Sequence, residues 1–433
     1  MFGLKFLKRF DLILLRGLSA NALGQILTIA IQLFSLPIYL SVWSIEQYGV
    51  WLMIAAIPVY FSLADTGISA VAMNKMTMLI AQKRPHEANI IFQTALIFIT
   101  AIVICLMVVV GFSVYISKIL FSFDHSLTLM ALIAATLINI YSGLIDGLFR
   151  STNKYATGTN FLTLARLIEW IFSLVGLLLF RTPIGCALGY LIGRSLSFLS
   201  LVAISICYVP EYAWGFSLFS KTECKSLFFH SKRYVLLPIS FALTLQGTTL
   251  VVGLFLGPSA VVIFATYRTI SRSITQFVGA IAHSLWPQFT QLYALGEKKI
   301  LSVKIAKWSH RSAVISITMS IITLLFSNQI LEYWTHGRVA LDISLLALLL
   351  FTSSISAATN IFYIFSISTN NYGRLPFAYI SVAFISLIIV ATGARFGGVL
   401  GVALASIFIE SVLYFFARSN ANYIVREMRK LSV

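Results

Sequence analysis

Long stretches with almost no charged residue recur along this chain, and each is about as long as a membrane-spanning helix. A stretch of roughly 20 apolar residues matches the hydrocarbon thickness of a bilayer. Hydrophobic residues make up 59% of the 433 residues and charged residues only 10%, whereas about 25% of a soluble domain is charged. The sequence therefore predicts an all-α polytopic membrane protein.

The stretches predict about twelve transmembrane helices, because spans of roughly 20 residues joined by short loops fill the chain. Gly257–Pro258 divides a run that is too long for one span and predicts a tight turn between two helices. The predicted spans are residues 19–42, 49–73, 90–116, 126–149, 157–180, 184–208, 234–256, 259–284, 311–331, 342–368, 375–395 and 398–417.

Lys and Arg alternate between loops in the way that orients helices in a membrane, where cytoplasmic loops are the more basic. With the N-terminus inside, the inner segments carry the basic residues of 5–16, 75–84, 150–154, 221–233, 298–311 and 418–430, and Arg374. The outer segments carry only Lys118, Arg181, Arg338 and Arg395. We therefore expect both termini in the cytoplasm, a multi-pass protein of a bacterial inner membrane, and a first apolar stretch that is retained as a helix.

The longest connection follows the sixth span, on the predicted cytoplasmic side. It divides the chain into an N-terminal six-helix bundle (1–208), a cytoplasmic linker loop (209–233) and a C-terminal six-helix bundle (234–433), and we expect the bundles to enclose a central cavity. Each half opens with a helix that contains a glutamine and a proline, which are Gln25 and Pro37 in one and Gln246 and Pro238 in the other. Internal repeats of this kind are the usual construction of transporters.

The net charge of +17 is concentrated in loops, which is the pattern of a topology signal and not of a nucleic-acid-binding surface. Cys105, Cys186, Cys207 and Cys224 form no CxxC pair, and most lie inside apolar runs. Such cysteines behave as small core residues. We expect no metal site, no disulfide framework and no nucleic-acid partner.

A small set of charged residues lies inside the predicted spans. Each costs about 2.5–3.5 kcal/mol near a helix centre, and such residues usually face a bundle interior or a wet cavity. The acids are Asp65, Asp146, Glu169 and Glu410, and the bases are Arg166, Arg194, Arg268 and Arg272.

Two local pairs in this set have a structural interpretation as well as a functional one. Arg166 and Glu169 are three residues apart, and Asp146 and Arg150 are four apart, so the members of each pair share a helix face. A pair that neutralises itself would hold helices together without taking part in transport. Both interpretations stay open from the sequence.

Arg194, Arg268 and Arg272 have no acid on their own helices, and Arg268 and Arg272 stand one turn apart. A cavity lined by arginine accounts for all of them, since the planar guanidinium suits pyrophosphate and acidic sugars. We therefore predict a cationic substrate site that also includes Arg166. The alternatives are snorkelling to the interface or pairing with Asp65, Glu169 or Glu410.

The acids inside the spans are candidates for ion coupling. Protonation relieves the desolvation cost of a buried carboxylate, so Asp65, Asp146, Glu169 or Glu410 could take up H⁺ or Na⁺. Each of them is equally a charge partner for an arginine. No other cofactor is expected.

The opening of the chain resembles that of Wzx-type O-antigen flippases. A helix that ends in Pro37 precedes Tyr48–Gly49 and Trp51, and SLADTGIS with Asp65 and Gly67 follows. The stretch SLWPQFTQLYALGE (284–297) resembles the second half of the same family. Twelve spans and a six-plus-six division extend the similarity over the whole chain.

The resemblance implies the polysaccharide transporter branch of the multidrug/oligosaccharidyl-lipid/polysaccharide exporter superfamily. Its flippases move undecaprenyl-diphosphate-linked O-antigen units from the cytoplasmic to the periplasmic leaflet by alternating access. A cationic cavity passes the head group while the lipid tail stays among membrane lipids. The resemblance also implies contact with the O-antigen polymerase and the chain-length machinery.

Two other classes remain as alternatives. A multidrug exporter of the same superfamily needs carboxylates for cationic cargo, whereas the basic residues inside these spans match the acids in number. A polytopic O-antigen polymerase or ligase usually needs a sizeable outer loop with catalytic groups, and the predicted outer loops are short. The sequence therefore favours a transporter that is not an enzyme.

Overall fold

A computed structural model describes residues 2–63, 66–121, 125–231, 235–369 and 374–427. Residues 2–18, 66, 113–121, 230, 287 and 294 are described by their backbone alone. Helices and turns account for the structure in these ranges, which contain no strand. The predicted all-α architecture is therefore confirmed.

Seventeen helices follow one another along the described chain. They are α1 (Phe2–Val42), α2 (Ile45–Ala56), α3 (Pro58–Ser62), α4 (Thr66–Ala81), α5 (Pro85–Phe121), α6 (Ser126–Ser151), α7 (Tyr155–Phe180), α8 (Pro183–Tyr208), α9 (Lys221–Ser231), α10 (Leu236–Ala242), α11 (Thr248–Leu256), α12 (Pro258–Ser284), α13 (Trp286–Ala294), α14 (Lys298–Leu325), α15 (Ser327–Thr335), α16 (Ile343–Ser368) and α17 (Leu375–Glu427). A π-helical turn, Leu243–Gly247, joins α10 to α11.

In the described ranges, 8 helices are long and apolar enough to cross a membrane, or up to 10 if each bent pair of helices is one span. The 53-residue α17 counts once in that number, although a non-helical residue divides it. Helix α12 is less apolar than these helices, because it carries Arg268 and Arg272 inside one span length. Ten spans become twelve, the predicted number, when the two halves of α17 are counted separately and α12 is added.

Two glycines make the sharp turns between successive spans. Gly257, with φ of 86°, separates α11 from α12, and Pro258 begins the new helix. Gly398, with φ of 58°, interrupts α17. Positive φ costs a glycine nothing, because it has no Cβ. The predicted turn at Gly257–Pro258 is confirmed.

The chain forms two compact units. The first contains Met1–Val42 and Ile54–Pro238, and the second contains Trp43–Met53 and Ile239–Val433. The Arg338 guanidinium donates a hydrogen bond of 3.1 Å to the Trp43 carbonyl oxygen. The segment Trp43–Met53 therefore packs with the second unit, although the chain on both sides of it belongs to the first.

The loop after α8 is folded onto the first unit. The Gln93 side chain donates to the Ala213 carbonyl at 2.9 Å and accepts from the Leu218 amide at 2.8 Å. The following helix α9 is held by an ion pair of 2.7 Å between Lys75 and Glu223. Most of the stretch that was predicted as a linker loop is therefore ordered structure.

Replacing Gln93 by Leu should destabilise the protein. Gln93 is 2% exposed, and its loss strands the backbone groups that it bonds, at a cost of about 1–3 kcal/mol. We expect a lower midpoint of thermal unfolding in detergent. Gln288→Leu, at an exposed position of α13, is the control, and an equal shift in both variants would contradict the role of Gln93.

Tyr212 should make stability depend on alkaline pH. Its hydroxyl contacts that of Ser151 at 2.9 Å, and burial raises the pKa of Tyr212 to about 12. The folded state therefore favours the neutral phenol, so the contribution is present below pH 10 and is lost as the pH rises through 12. Thermal unfolding over this window should show the loss, and Tyr212→Phe should flatten it.

Many large apolar side chains point away from the protein interior. Leu254 is 77% exposed, Phe396 82%, Leu179 72% and Ile388 69%. Large contiguous apolar surfaces are uncommon on soluble monomers. Together with the apolar helices, these side chains identify a membrane protein.

Candidate functional site

The second unit contains a cavity of about 410 Å³ between the π-helical turn, α12, α16 and α17, and its wall is mostly apolar with polar and charged side chains among the apolar ones. Arg268, Arg272 and Glu410, three of the residues singled out from the sequence, line it together. Hydroxyl and amide side chains also line the cavity, including Thr244, Thr248, Thr275, Ser356, Asn360 and Ser406. We call this space the unit-2 cavity.

The packing of α12 turns its arginines toward the unit-2 cavity. Ile270 and Ile274 are buried on the opposite side of the helix. The buried Tyr267 fixes the rotation, since its hydroxyl donates to the Ala340 carbonyl at 2.7 Å and accepts from the Asp342 amide at 2.6 Å. The apolar stripe of an amphipathic helix thus sets the direction of its charges.

Arg268 is held against the π-helical turn. Its guanidinium donates to the Leu245 carbonyl at 3.1 Å and to the Thr249 hydroxyl at 2.9 Å, and it lies 5.3 Å from the centroid of the Phe264 ring. A π-turn shifts carbonyl groups out of the α-helical register and occurs often at functional sites. Here it supplies the acceptor that orients Arg268.

Arg272 has a different environment. Its side chain is exposed, and within the described ranges it makes no hydrogen bond or ion pair. Arg268 also lacks a carboxylate within ion-pair distance among those residues. Like charges four residues apart on a helix destabilise it by about 0.2–0.5 kcal/mol, which an anion bound to both guanidinium groups would relieve.

Glu410 lines the same cavity without pairing with either arginine. It forms a side-chain hydrogen bond with Ser356. Beside it, the rings of Phe241, Tyr363 and Tyr379 have centroids 5.6–5.9 Å apart. The unit-2 cavity therefore combines unneutralised arginines, one carboxylate, hydroxyl groups and an aromatic cluster. These groups can bind a phosphate and stack against a sugar ring.

In the first unit, the buried Arg194 and Glu169 neutralise each other. Arg194 forms an ion pair of 2.6 Å with Glu169 and also donates to Asn139 and to the Tyr190 hydroxyl. Glu169 is 3% exposed and Arg194 is 9% exposed. Of the alternatives that the sequence left open for Arg194, the structure shows the ion pair with Glu169.

Glycines on α8 create this pair. Gly185, Gly189 and Gly193 are spaced by four residues and form a small-residue stripe of the kind that lets membrane helices approach closely. A Cβ at Gly189 would lie 2.2 Å from the Phe172 carbonyl oxygen, and one at Gly193 would lie 3.0 Å from the Glu169 Cα. Close packing of α7 and α8 therefore brings Glu169 to Arg194.

The other described residues that were singled out from the sequence belong to the first unit. Asp146 and Arg150 form the local ion pair, at 2.6 Å. Arg166 is exposed and donates weakly to the Thr28 hydroxyl at 3.4 Å. Asp65 lies outside the described residues.

The sequence did not single out several groups that complete these sites. The aromatic cluster and Asn139 carry no local signal, because their partners are distant in sequence. Tyr190 does carry one, since it stands one helical turn before Arg194. The GxxxGxxxG spacing on α8 was visible and predicts a close helix contact. The π-helical turn has no sequence signature that we recognise.

No protein-family model matches the sequence, and no curated protein matches it either. Solved structures do match in fold. The inward-facing conformation of a multidrug resistance MATE family transporter of the MOP superfamily aligns with a TM-score of 0.74 and 12% identity, over 93% of this chain and 100% of that one. The outward-facing conformation of such a transporter aligns with a TM-score of 0.60 and 13% identity, over 96% of each chain.

A third match is a MOP superfamily transporter from Pyrococcus furiosus, described as having a binding pocket of reverse polarity that suggests a different function. It aligns with a TM-score of 0.61 and 12% identity, over 95% of this chain and 96% of that one. The chain therefore has the two-lobed fold of MATE family transporters.

Proposed function

We propose that this protein is a flippase for oligosaccharides linked to undecaprenyl diphosphate, working by alternating access in a bacterial inner membrane. The observation that carries the proposal is the pair Arg268 and Arg272, which line the unit-2 cavity without a carboxylate partner among the described residues. Two unneutralised guanidinium groups one turn apart suit a diphosphate. The sugar units would meet the hydroxyl groups and aromatic rings of the same cavity.

In this proposal, the negative charge of the cargo determines how it enters and leaves the protein. The diphosphate head group enters the unit-2 cavity from the cytoplasmic side and binds Arg272 first, because Arg268 is already engaged with Leu245 and Thr249. Binding favours the conformation that opens to the periplasm, where the head group leaves. The lipid tail remains in the bilayer, where its apolar surface stays in an apolar environment.

Ion coupling is assigned in this proposal to Glu410. Its carboxylate shares the unit-2 cavity with Arg268 and Arg272, so an incoming diphosphate and a negative Glu410 repel each other. Uptake of H⁺ or Na⁺ by Glu410 would remove that repulsion and link cargo binding to the ion. Asp146 and Glu169 serve less well, since each is already paired with an arginine.

A multidrug exporter is the second candidate. The observation that favours it is Glu410 beside the aromatic cluster of Phe241, Tyr363 and Tyr379, because a carboxylate and aromatic faces suit a lipophilic cation. Against it stand the two arginines, which would repel such a cargo. The fold matches include a transporter whose pocket is described as having reverse polarity, so the fold accommodates pockets of more than one charge.

Binding to the purified full chain discriminates the two candidates. We expect undecaprenyl diphosphate to bind and the lipophilic cation tetraphenylphosphonium not to bind, both followed by intrinsic tryptophan fluorescence. Salt should weaken the first interaction, since screening reduces charge attraction. Tight binding of the cation, with none of the diphosphate, would establish the exporter instead.

A further inference from the structure

The first turns of α14 form a second basic surface, separate from the unit-2 cavity. A shallow groove of about 480 Å³ is lined there by Lys299, Ile300, Val303, Lys304, Lys307, Trp308 and Arg311. We call it the α14 groove. Its four cationic side chains are accompanied by no acidic residue, and the sequence from 298 to 331 contains none.

The α14 groove lies on the outer side of the helix. The buried face of α14 consists of Leu301, Ile305 and Ser309 and continues through Ser312 and Ser316. On the opposite side Lys299, Lys307 and Arg311 are exposed, as is Val303, with 60% of its surface accessible. The basic residues are therefore presented outward by the packing of the helix.

These cations are not neutralised by the protein. Within the described ranges, Lys299, Lys304, Lys307 and Arg311 have no carboxylate within ion-pair distance. Lys304, Lys307 and Arg311 are three and four residues apart, so they repel one another along the helix surface. Lys299, in the first turn of α14, is also unfavourable to the helix dipole. A bound anion would relieve both costs.

The position of the groove identifies the kind of anion. Arg311 lies 5.2 Å from the centroid of the Trp308 ring, and tryptophan is enriched at the membrane interface. The charge-free run of α14 begins just after Arg311, where Val314 is 46% exposed, Ile317 46% and Ile321 53%. A basic groove thus continues into an exposed aliphatic stripe at the depth where head groups give way to acyl chains.

We propose that the α14 groove binds an anionic phospholipid of the surrounding leaflet. Lys304, Lys307 and Arg311 hold the phosphate groups, and the acyl chains pack along Val314, Ile317 and Ile321. A clustered basic segment next to a span attracts anionic lipids with about 1 kcal/mol per Lys or Arg. A lipid that carries two phosphates, such as cardiolipin, matches the number of cations best.

Lipid retention by the purified full chain, measured by native mass spectrometry with added cardiolipin, tests this proposal. The triple variant Lys304→Gln, Lys307→Gln, Arg311→Gln should bind cardiolipin roughly 100-fold more weakly. The matched control Lys221→Gln, Lys225→Gln, Arg426→Gln removes the same charge from exposed positions elsewhere, and its affinity should stay within about threefold of wild type. Equal losses in both triples would reduce the effect to net charge and overturn the site.

Four further measurements complete the experiment. If the triple variant does not fold, Lys307→Gln alone should weaken binding by about fivefold. Phosphatidylcholine should be retained equally by wild type and variant, and displacement of cardiolipin by inorganic phosphate would show a phosphate site without lipid specificity. Arg395→Gln, at an exposed arginine that lines neither the α14 groove nor the unit-2 cavity, should leave cardiolipin retention unchanged.

Discussion

Replacing Arg272 by Gln is expected to lower export of the lipid-linked oligosaccharide about 10- to 150-fold, the equivalent of a charged hydrogen bond worth roughly 1.5–3 kcal/mol. Arg272 is exposed and lines the unit-2 cavity, so its guanidinium is available to the diphosphate. Its loss removes no hydrogen bond within the described part of the protein. Stability should therefore be nearly unchanged, and the amount of protein in the membrane should equal that of wild type.

Two variants sharpen this result. Arg272→Lys keeps the charge but loses the planar fork, so it should restore export only in part. Arg395→Gln removes an exposed arginine of the same unit that does not line the unit-2 cavity, and it should export normally. Full export by Arg272→Gln at native expression, or an equal defect in Arg395→Gln, would contradict a cargo site at Arg272.

Replacing Glu169 by Leu is expected to destabilise the protein by about 3–5 kcal/mol, because a buried arginine is left without its counter-charge. Arg194 and Glu169 have side chains only 11% and 4% exposed, and their charged groups are 2.6 Å apart. α7 and α8 pack closely here, since a Cβ at Gly189 would lie 2.2 Å from the Phe172 carbonyl oxygen. Thermal unfolding in detergent should show a large downward shift.

A double variant distinguishes a structural role of Arg194 from a role in transport. Glu169→Leu with Arg194→Met replaces the ion pair by apolar side chains, which is often neutral or stabilising, so most of the lost stability should return. If this stable variant exports normally, Arg194 has only a structural role, and the prediction that it belongs to the substrate site is wrong. If it is stable but inactive, Arg194 belongs to the transport path. A double variant as unstable as the single one would contradict the importance of the ion pair.

The membrane helices could be predicted from the sequence because their determinants are local. An apolar run sets the length of a span, and Gly257–Pro258 marks a turn through backbone geometry that only a few residues allow. Helix α12 shows the limit of hydropathy alone, since its two arginines lower the apolar signal. The sequence still predicts it, because the apolar run before and after Gly257–Pro258 is too long for one span and this pair divides it.

The sequence predicted the local pair of Asp146 and Arg150, but it left the partner of Arg194 open, because that contact depends on how two helices pack. The spacing of Arg166 and Glu169 suggested a pair, but Glu169 instead meets Arg194, on the next helix. Sequence shows neighbours along one helix face, whereas this contact depends on how closely α7 and α8 pack. The position of Trp43–Met53 in the second unit is also determined by tertiary packing. Neither the composition of this segment nor its place in the chain distinguishes it from the neighbouring segments of the first unit.

Genetic complementation tests the central claim most directly. The chain is expressed in a bacterium that lacks its own O-unit flippase but makes the lipid-linked units, and the surface lipopolysaccharide is examined in strains with several different O-unit sugars. We predict that surface O-antigen returns in at least one strain and is lost again with Arg272→Gln. Absence of O-antigen in every strain, with the protein present in the membrane and with resistance to cationic drugs gained, would contradict the flippase and establish the exporter.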